Sequence, residues 1–167
     1  MASINNIQIK NLKTFGGHEG ETLFQGSIYY KNKKLGFWSQ DAWSGPDNFD
    51  FNTKVLDEEV EKYKKSGRVS SEFAEIIGLE SVLADLVNLM EEEKEFKKES
   101  KECAIGYLAA NDRYHFAHMT TSETNKEKIK KSEDYREFKQ YCKKNFINRW
   151  NGDIQIYTSL DDFNITV

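Results

Sequence analysis

Thr22-Leu23-Phe24-Gln25-Gly26-Ser27-Ile28-Tyr29-Tyr30, then Lys31-Asn32-Lys33, then Lys34-Leu35-Gly36-Phe37-Trp38-Ser39-Gln40: these nineteen residues have the pattern of a β-hairpin. Side chains alternate across a strand with a period of two. Phe24, Gly26, Ile28 and Tyr30 therefore share one face, and Gln25, Ser27 and Tyr29 the other. Lys31-Asn32-Lys33 is a short polar turn, and Lys34 to Gln40 is the returning strand of a hairpin. Upstream, Ile7 and Ile9 alternate with polar neighbours and add a strand. Downstream, the single proline lies in Ser44-Gly45-Pro46-Asp47, which is turn chemistry, and Phe49 and Phe51 close a β-rich module over residues 1–52.

Residues 53–101 read as helical. Thr53 is placed to cap a helix that runs to about Ser66, with Val55, Leu56, Val60 and Tyr63 as its apolar stripe and Gly67 as its stop. A second helix is expected from about Ser71, with Phe73, Ile76, Ile77, Leu79, Val82, Leu83, Leu86, Val87 and Met90 at a 3.6-residue period and Gly78 as a kink or break. Beyond Met90 the run Glu91-Glu92-Glu93-Lys94-Glu95 is almost wholly charged, which predicts a helix tip in solvent.

Residues 102–167 read as a ββαβ-like part. Ala104 to Ala109 and Arg113 to Met119, joined at Asn111-Asp112, form a second hairpin, with a helix through Tyr107 as the alternative. Ser132 caps a helix carrying Tyr135, Phe138, Tyr141, Cys142, Phe146 and Ile147 on one side. Asn151-Gly152 turns into a strand, Ile154 to Tyr157, and Ser159-Leu160-Asp161-Asp162 resembles a capping box with Asp in place of Glu. Strands that bunch in hairpins predict an α+β fold: a mostly antiparallel sheet packed against two or three helices, in one domain over residues 1–167.

Composition narrows the function. The hydrophobic fraction is 38%, the charged fraction 31% and the aromatic fraction 13%, which fits a folded chain with an aromatic-rich core. The net charge of −4 argues against general affinity for nucleic-acid backbone. Charge is uneven: Lys54 to Lys101 carries 13 acids and 9 bases, while Lys126 to Trp150 carries 9 bases and 4 acids. Cys103 and Cys142 lack metal or redox spacing and read as reduced thiols. With no apolar run of membrane-spanning length, a soluble cytoplasmic protein is expected.

No motif announces catalysis. Gly16-Gly17-His18-Glu19-Gly20 precedes a strand and lacks the lysine of a phosphate loop, so it reads as a loop between strands. His18, Glu19, Asp41 and Asp47, with Glu21 and Asp50 nearby, could ligate a divalent metal if the loop before the hairpin folds toward the loop after it. On a strand His115 and His118 point to opposite faces and do not converge, whereas on the alternative helix they could. The ordinary reading is that no cofactor and no metal is bound. The basic helix over 126–150 could track phosphates, but its interleaved acids make a solvated face the simpler reading, so direct nucleic-acid binding is not the expectation. Seven aromatics from Tyr29 to Phe51 exceed what one hairpin face buries. Trp43, in a turn beside Gly45-Pro46, is the one most suited to an interface.

Phe15 to Phe51, with Gly17-His18-Glu19-Gly20, Gly26-Ser27-Ile28-Tyr29-Tyr30, Lys33-Lys34-Leu35-Gly36 and Asp41-Ala42-Trp43-Ser44-Gly45-Pro46-Asp47-Asn48-Phe49-Asp50, resembles an N-terminal module in small uncharacterised proteins of phages and mobile elements. By association, that resemblance implies an anti-defence protein of the anti-CRISPR kind. Such a protein binds and inhibits a host nuclease complex in the host cytoplasm, here a type II CRISPR effector. Trp43, Asp47, Glu91, Glu92 and Glu93 are the expected contacts, because acidic groups suit a basic nucleic-acid channel. Two alternatives stand beside it: a metal-dependent nuclease or hydrolase acting on nucleic acid or a signalling nucleotide, and a virion or regulatory protein with no defence role.

Overall fold

The computed structural model describes residues 1–66, 76–99, 104–110, 118–145 and 150–167. Five strands come first: β1 (Ser3–Ile4), β2 (Ile7–Gly16), β3 (Thr22–Tyr30), β4 (Lys33–Ser39) and β5 (Asn48–Phe49). Helices α1 (Asp57–Lys65) and α2 (Leu79–Glu99) follow, then strands β6 (Ala104–Ala110) and β7 (His118–Thr121). Helices α3 (Lys126–Lys131) and α4 (Glu133–Asn145), then strands β8 (Trp150–Tyr157) and β9 (Asn164–Ile165), complete the order. The fold is α+β, with a six-stranded sheet β5-β4-β3-β2-β1-β9 and a three-stranded sheet β7-β6-β8. All strand pairs are antiparallel except β1 with β9. The chain divides into two compact units, Met1–Met90 with Asn164–Val167, and Glu91–Phe163. Among the described residues no helix is long and apolar enough to cross a membrane.

In the first unit the meander β2–β3–β4 is set by its turns. Lys31 and Asn32 have φ of 48° and 65°, and Asn5 and Asn6 have 48° and 64°. Two successive positive φ values make the turn whose twist matches antiparallel strands, and after glycine asparagine tolerates them best. The first turn frees Lys33 to begin β4, one residue earlier than the sequence predicts. Asn11, with φ of 55°, sits where the β2–β3 register shifts between Lys10 and Lys13, a bulge that re-aims the rest of β2. Gly26 is required at that approach, because a Cβ there would lie 2.6 Å from Ile9 Cγ2.

Trp38 pairs with Gly26 in register and is fully buried, on the same face as Ile28 and Ile9. Burying side chains of this size stabilises by roughly 2–3 kcal/mol each. Leu56, Val60, Tyr63, Val82, Leu83, Leu86 and Val87 supply the helical share of the buried set. Asn5 fastens this unit: its amide donates to the Glu59 carbonyl and its side-chain oxygen accepts from Val167 N–H.

The helix boundaries depart from the sequence reading for local reasons. Asn52, not Thr53, accepts the capping bond, from Lys54 N–H, and Thr53–Leu56 is a 3-10 turn ahead of α1. That turn rotates Val55 out of the apolar stripe to 50% exposure. The expected helix start at Ser71, with Gly67 and Phe73, lies outside the described residues. Within them Ile76 is 78% exposed, and Gly78 is no kink inside a helix: its carbonyl accepts from Ser81 and Val82 and so opens α2.

In the second unit α2 does not run out into solvent beyond Met90. Glu93 is 5% and Phe96 6% exposed, so the charged run keeps one buried stripe at i, i+3 spacing. Tyr157 stacks on Phe163 at 4.3 Å, and Phe163 meets Phe96 at 5.4 Å. The second hairpin is present as β6 and β7, paired Ala104↔Thr121 to Tyr107↔His118. Its turn Asn111-Asp112, His115, Cys103, Phe146 and Ile147 lie outside the described residues.

The basic helix is broken rather than continuous. Ser132 is extended (ψ 158°), ending α3, which Asn125 caps, and its hydroxyl accepts from Tyr135 N–H to start α4. On α4 Phe138 and Cys142 are buried, but Tyr141 is 53% exposed. Asn151-Gly152 is no turn; it lies inside β8, where the β6–β8 register shifts between Leu108 and Ala110. Residues suited to turns are used here for a strand irregularity. Asp162 makes the carboxylate half of a capping box, accepting from Ser159 N–H and Thr158 N–H, while its own N–H donates to the Ser159 carbonyl.

Candidate functional site

A three-stranded meander returns to the same end after every second strand. The loop leaving β2 and the loop leaving β4 therefore lie side by side, each rich in chemistry-bearing residues. Gly17 N–H donates to the Glu21 carbonyl (2.8 Å) and Glu19 N–H to the Glu21 carboxylate (2.9 Å), closing the first loop. Gly20, with φ of 82°, makes its reversal. His18 N–H then donates to the Ala42 carbonyl at 2.9 Å, joining this loop to the second.

The second loop is fixed by its own carboxylates. Asp41 Oδ1 accepts from Trp43 N–H (2.8 Å) and Gly45 N–H (3.0 Å), which lets Ser44 adopt φ of 62°. Those two backbone donors hold the Asp41 carboxyl below the usual aspartate range. Trp38 Nε1 donates to Asp47 Oδ2 at 2.7 Å. Burial pushes the Asp47 carboxyl up, against the lowering effect of the Trp38 bond, and Glu80 and Asp41 add to the rise. Asp50 accepts from Phe37 N–H.

On this frame Trp43 is 73% exposed, and its ring stacks on that of His18 with centroids 4.0 Å apart and planes at 28°. The result is a rigid two-ring platform on an anchored loop. The loops do fold toward each other, as a metal site of His18, Glu19, Asp41 and Asp47 would need. Yet no group of three or more His, Cys, Asp or Glu able to hold a metal ion forms among the described residues. Asp41 is occupied by backbone donors and Asp47 by an indole.

Glu91, Glu92 and Glu93 belong to the second unit, Trp43 and Asp47 to the first. Glu91 is exposed. Glu92 accepts from the Tyr157 hydroxyl, Glu93 pairs with Lys97 at 2.8 Å, and Glu95 pairs with Lys98 at 3.4 Å. On the basic segment, Lys126 pairs with Asp162, Lys128 with Glu123 at 3.7 Å, and Lys130 with Glu127 at 3.1 Å.

The sequence marks Trp43 as an interface residue and His18 as a metal candidate, but not the stack between them. The signal was available: an even number of short reversals brings residue 18 and residue 43 to one end of the meander. No protein-family model, curated protein or solved structure matches the chain.

Proposed function

We propose that this chain is a binding protein that engages its partner through the Trp43–His18 platform. One observation carries the reading: a tryptophan 73% exposed is held by an anchored loop rather than left on a mobile one. Interface energy concentrates in a few residues, tryptophan foremost, and a pre-organised ring loses little entropy on docking. Together with the module the sequence resembles, this favours a phage or mobile-element anti-defence protein. It would act in the host cytoplasm by occupying a surface of a nucleic-acid-binding nuclease, with a type II CRISPR effector as the partner to test first. Trp43 and Asp47 contribute through one loop, the ring as anchor and the carboxylate as its support. Glu91 is the exposed acid left to steer approach, since Glu92 and Glu93 have internal partners.

The test is target cleavage by a purified type II effector in the presence of the whole protein. Inhibition is expected, and Trp43→Ala should weaken it at least about tenfold, the range of a modest hot spot. An effector that cleaves unimpeded at saturating protein removes the anti-defence reading. Inhibition that ignores Trp43→Ala moves the contact elsewhere.

A further inference from the structure

The meander has a second face, turned away from Trp38, Ile28 and Ile9. Register fixes its occupants: Lys10 pairs with Ser27, Lys13 with Gln25, Ser27 with Phe37, and Tyr29 with Lys34. Pairing and alternation set Lys10, Lys13, Lys34, Tyr29 and Phe37 on one surface. Lys13 and Lys34 are exposed, Phe37 is 40% exposed, and Lys10 and Tyr29 are half-buried. Lys10 Nζ stands 4.3 Å from the Tyr29 ring centroid, so a cation and a ring come as one unit.

Strands β2, β3 and β4 contain no aspartate or glutamate at all, within a chain that has 28 of them and a net charge of −4. The meander is therefore a locally positive sheet bearing one exposed ring, Phe37, and one half-buried ring, Tyr29. A solvated polar sheet face needs neither the rings nor the exclusion of acids. Sheet faces that combine lysines with ring side chains suit unpaired nucleotides, whose bases stack on the rings while phosphates meet the cations. A duplex hides its base faces and would use only the charge.

We propose that this outer face binds single-stranded nucleic acid. This face shares no residue with the Trp43 platform, so either can fail alone.

Fluorescence anisotropy of a labelled oligothymidylate, titrated with the full chain at low and at moderate salt, tests it. Saturable, salt-sensitive binding is expected. Phe37→Ala should weaken it about tenfold, the low end for loss of one stacked base, and Phe37→Tyr should restore it. Lys13→Glu with Lys34→Glu should reduce the slope of log affinity against log salt by about 1.4, two phosphate contacts on a single strand. Unchanged thermal unfolding of these variants would establish that folding is not the cause. The proposal is overturned by absence of binding, or by variants that bind as wild type. Equal binding of a duplex would remove the stacking. Equal competition by polyglutamate would make the face a docking surface for an acidic protein instead.

Discussion

Around Trp43 the ring is outside and the carboxylates are turned inward, Asp41 onto backbone N–H groups and Asp47 onto the Trp38 indole. Along the helix from Glu91 to Glu95 the arrangement is reversed. There the charges are dense in sequence, but Glu92, Glu93 and Glu95 are spent on Tyr157, Lys97 and Lys98. A run of acids is thus a poor measure of the field a protein offers a partner: lysines offset Glu93 and Glu95, and Glu92 keeps its charge but is tied to a neutral hydroxyl. An exposed aromatic on a fixed loop cannot be neutralised in that way.

The sharpest way to break this contrast is to invert charge at a position that only looks like surface. Glu93→Lys puts a cation in a buried site beside Lys97. Lys97 is half exposed, so the cost comes from the new, uncompensated charge at the buried position, about 3 kcal/mol or more. Urea unfolding would read it as a lowered midpoint. A midpoint matching wild type would return Glu93 to the surface and restore the acidic tip as a contact.

Next in size is the Asp47 support. Asp47→Ala leaves the Trp38 indole N–H without its acceptor, a loss of about 1–2 kcal/mol for a fully buried donor. Asp47→Asn keeps an acceptor and removes a charge that burial disfavours, so its unfolding midpoint should equal or exceed that of wild type. If Asn costs as much as Ala, the charge rather than the hydrogen bond holds the loop.

The strands were legible because a period of two is written directly in residues 22–40, and hairpin turns are local. The Trp43 turn was legible for the same reason. What escaped the sequence is non-local. Glu93 is buried because Phe96 shares its helical stripe, and nothing between residues 91 and 95 announces that. The His18–Trp43 stack needs the lengths of three strands to be right at once. The cap at Ser132 was legible, being local; what was not is that the lysines before it form a separate short helix capped by Asn125.

Acid titration separates the two kinds of carboxylate by sign. Burial raises Glu59, but the Tyr30 hydroxyl and Lys62 outweigh it and hold the folded-state value below the usual 4.5. Burial likewise opposes Lys126 and the backbone donors at Asp162, which together keep it below the usual 3.8. A depressed carboxylate contributes stability that is present above its unfolded value and lost as pH falls through its folded one. Both contributions should therefore be complete above about pH 4.5 and 3.8 respectively, and fade as pH falls from there through the lower folded-state values. Asp47 is raised, so it has the opposite sign: its ionised form opposes folding, and acid relieves it. Urea midpoints at neutral pH and at about pH 3.5 should fall for wild type and fall less for Glu59→Gln, as linkage requires. An equal fall in both would assign the acid sensitivity to other groups.

The smallest effects on stability are expected where the contact itself should lie. Glu91→Lys alters an exposed helical position and should change the unfolding free energy by no more than about 0.5 kcal/mol. Trp43→Ala forfeits a ring stack at the surface, so its cost should stay near or below about 1 kcal/mol. These two near-silent variants carry the comparison to its end, because they differ in what they should do to a partner. Glu91→Lys removes one steering charge and should slow association modestly, less so as salt is raised. Trp43→Ala removes an anchor and should speed dissociation at every salt concentration, since rings held in a contact act mainly on the off-rate. Surface-immobilised partner read in real time distinguishes them. A Trp43→Ala variant that unfolds several degrees early would make the His18 stack a structural fastening. A variant with wild-type stability and a wild-type off-rate would leave an exposed tryptophan with no task in this loop.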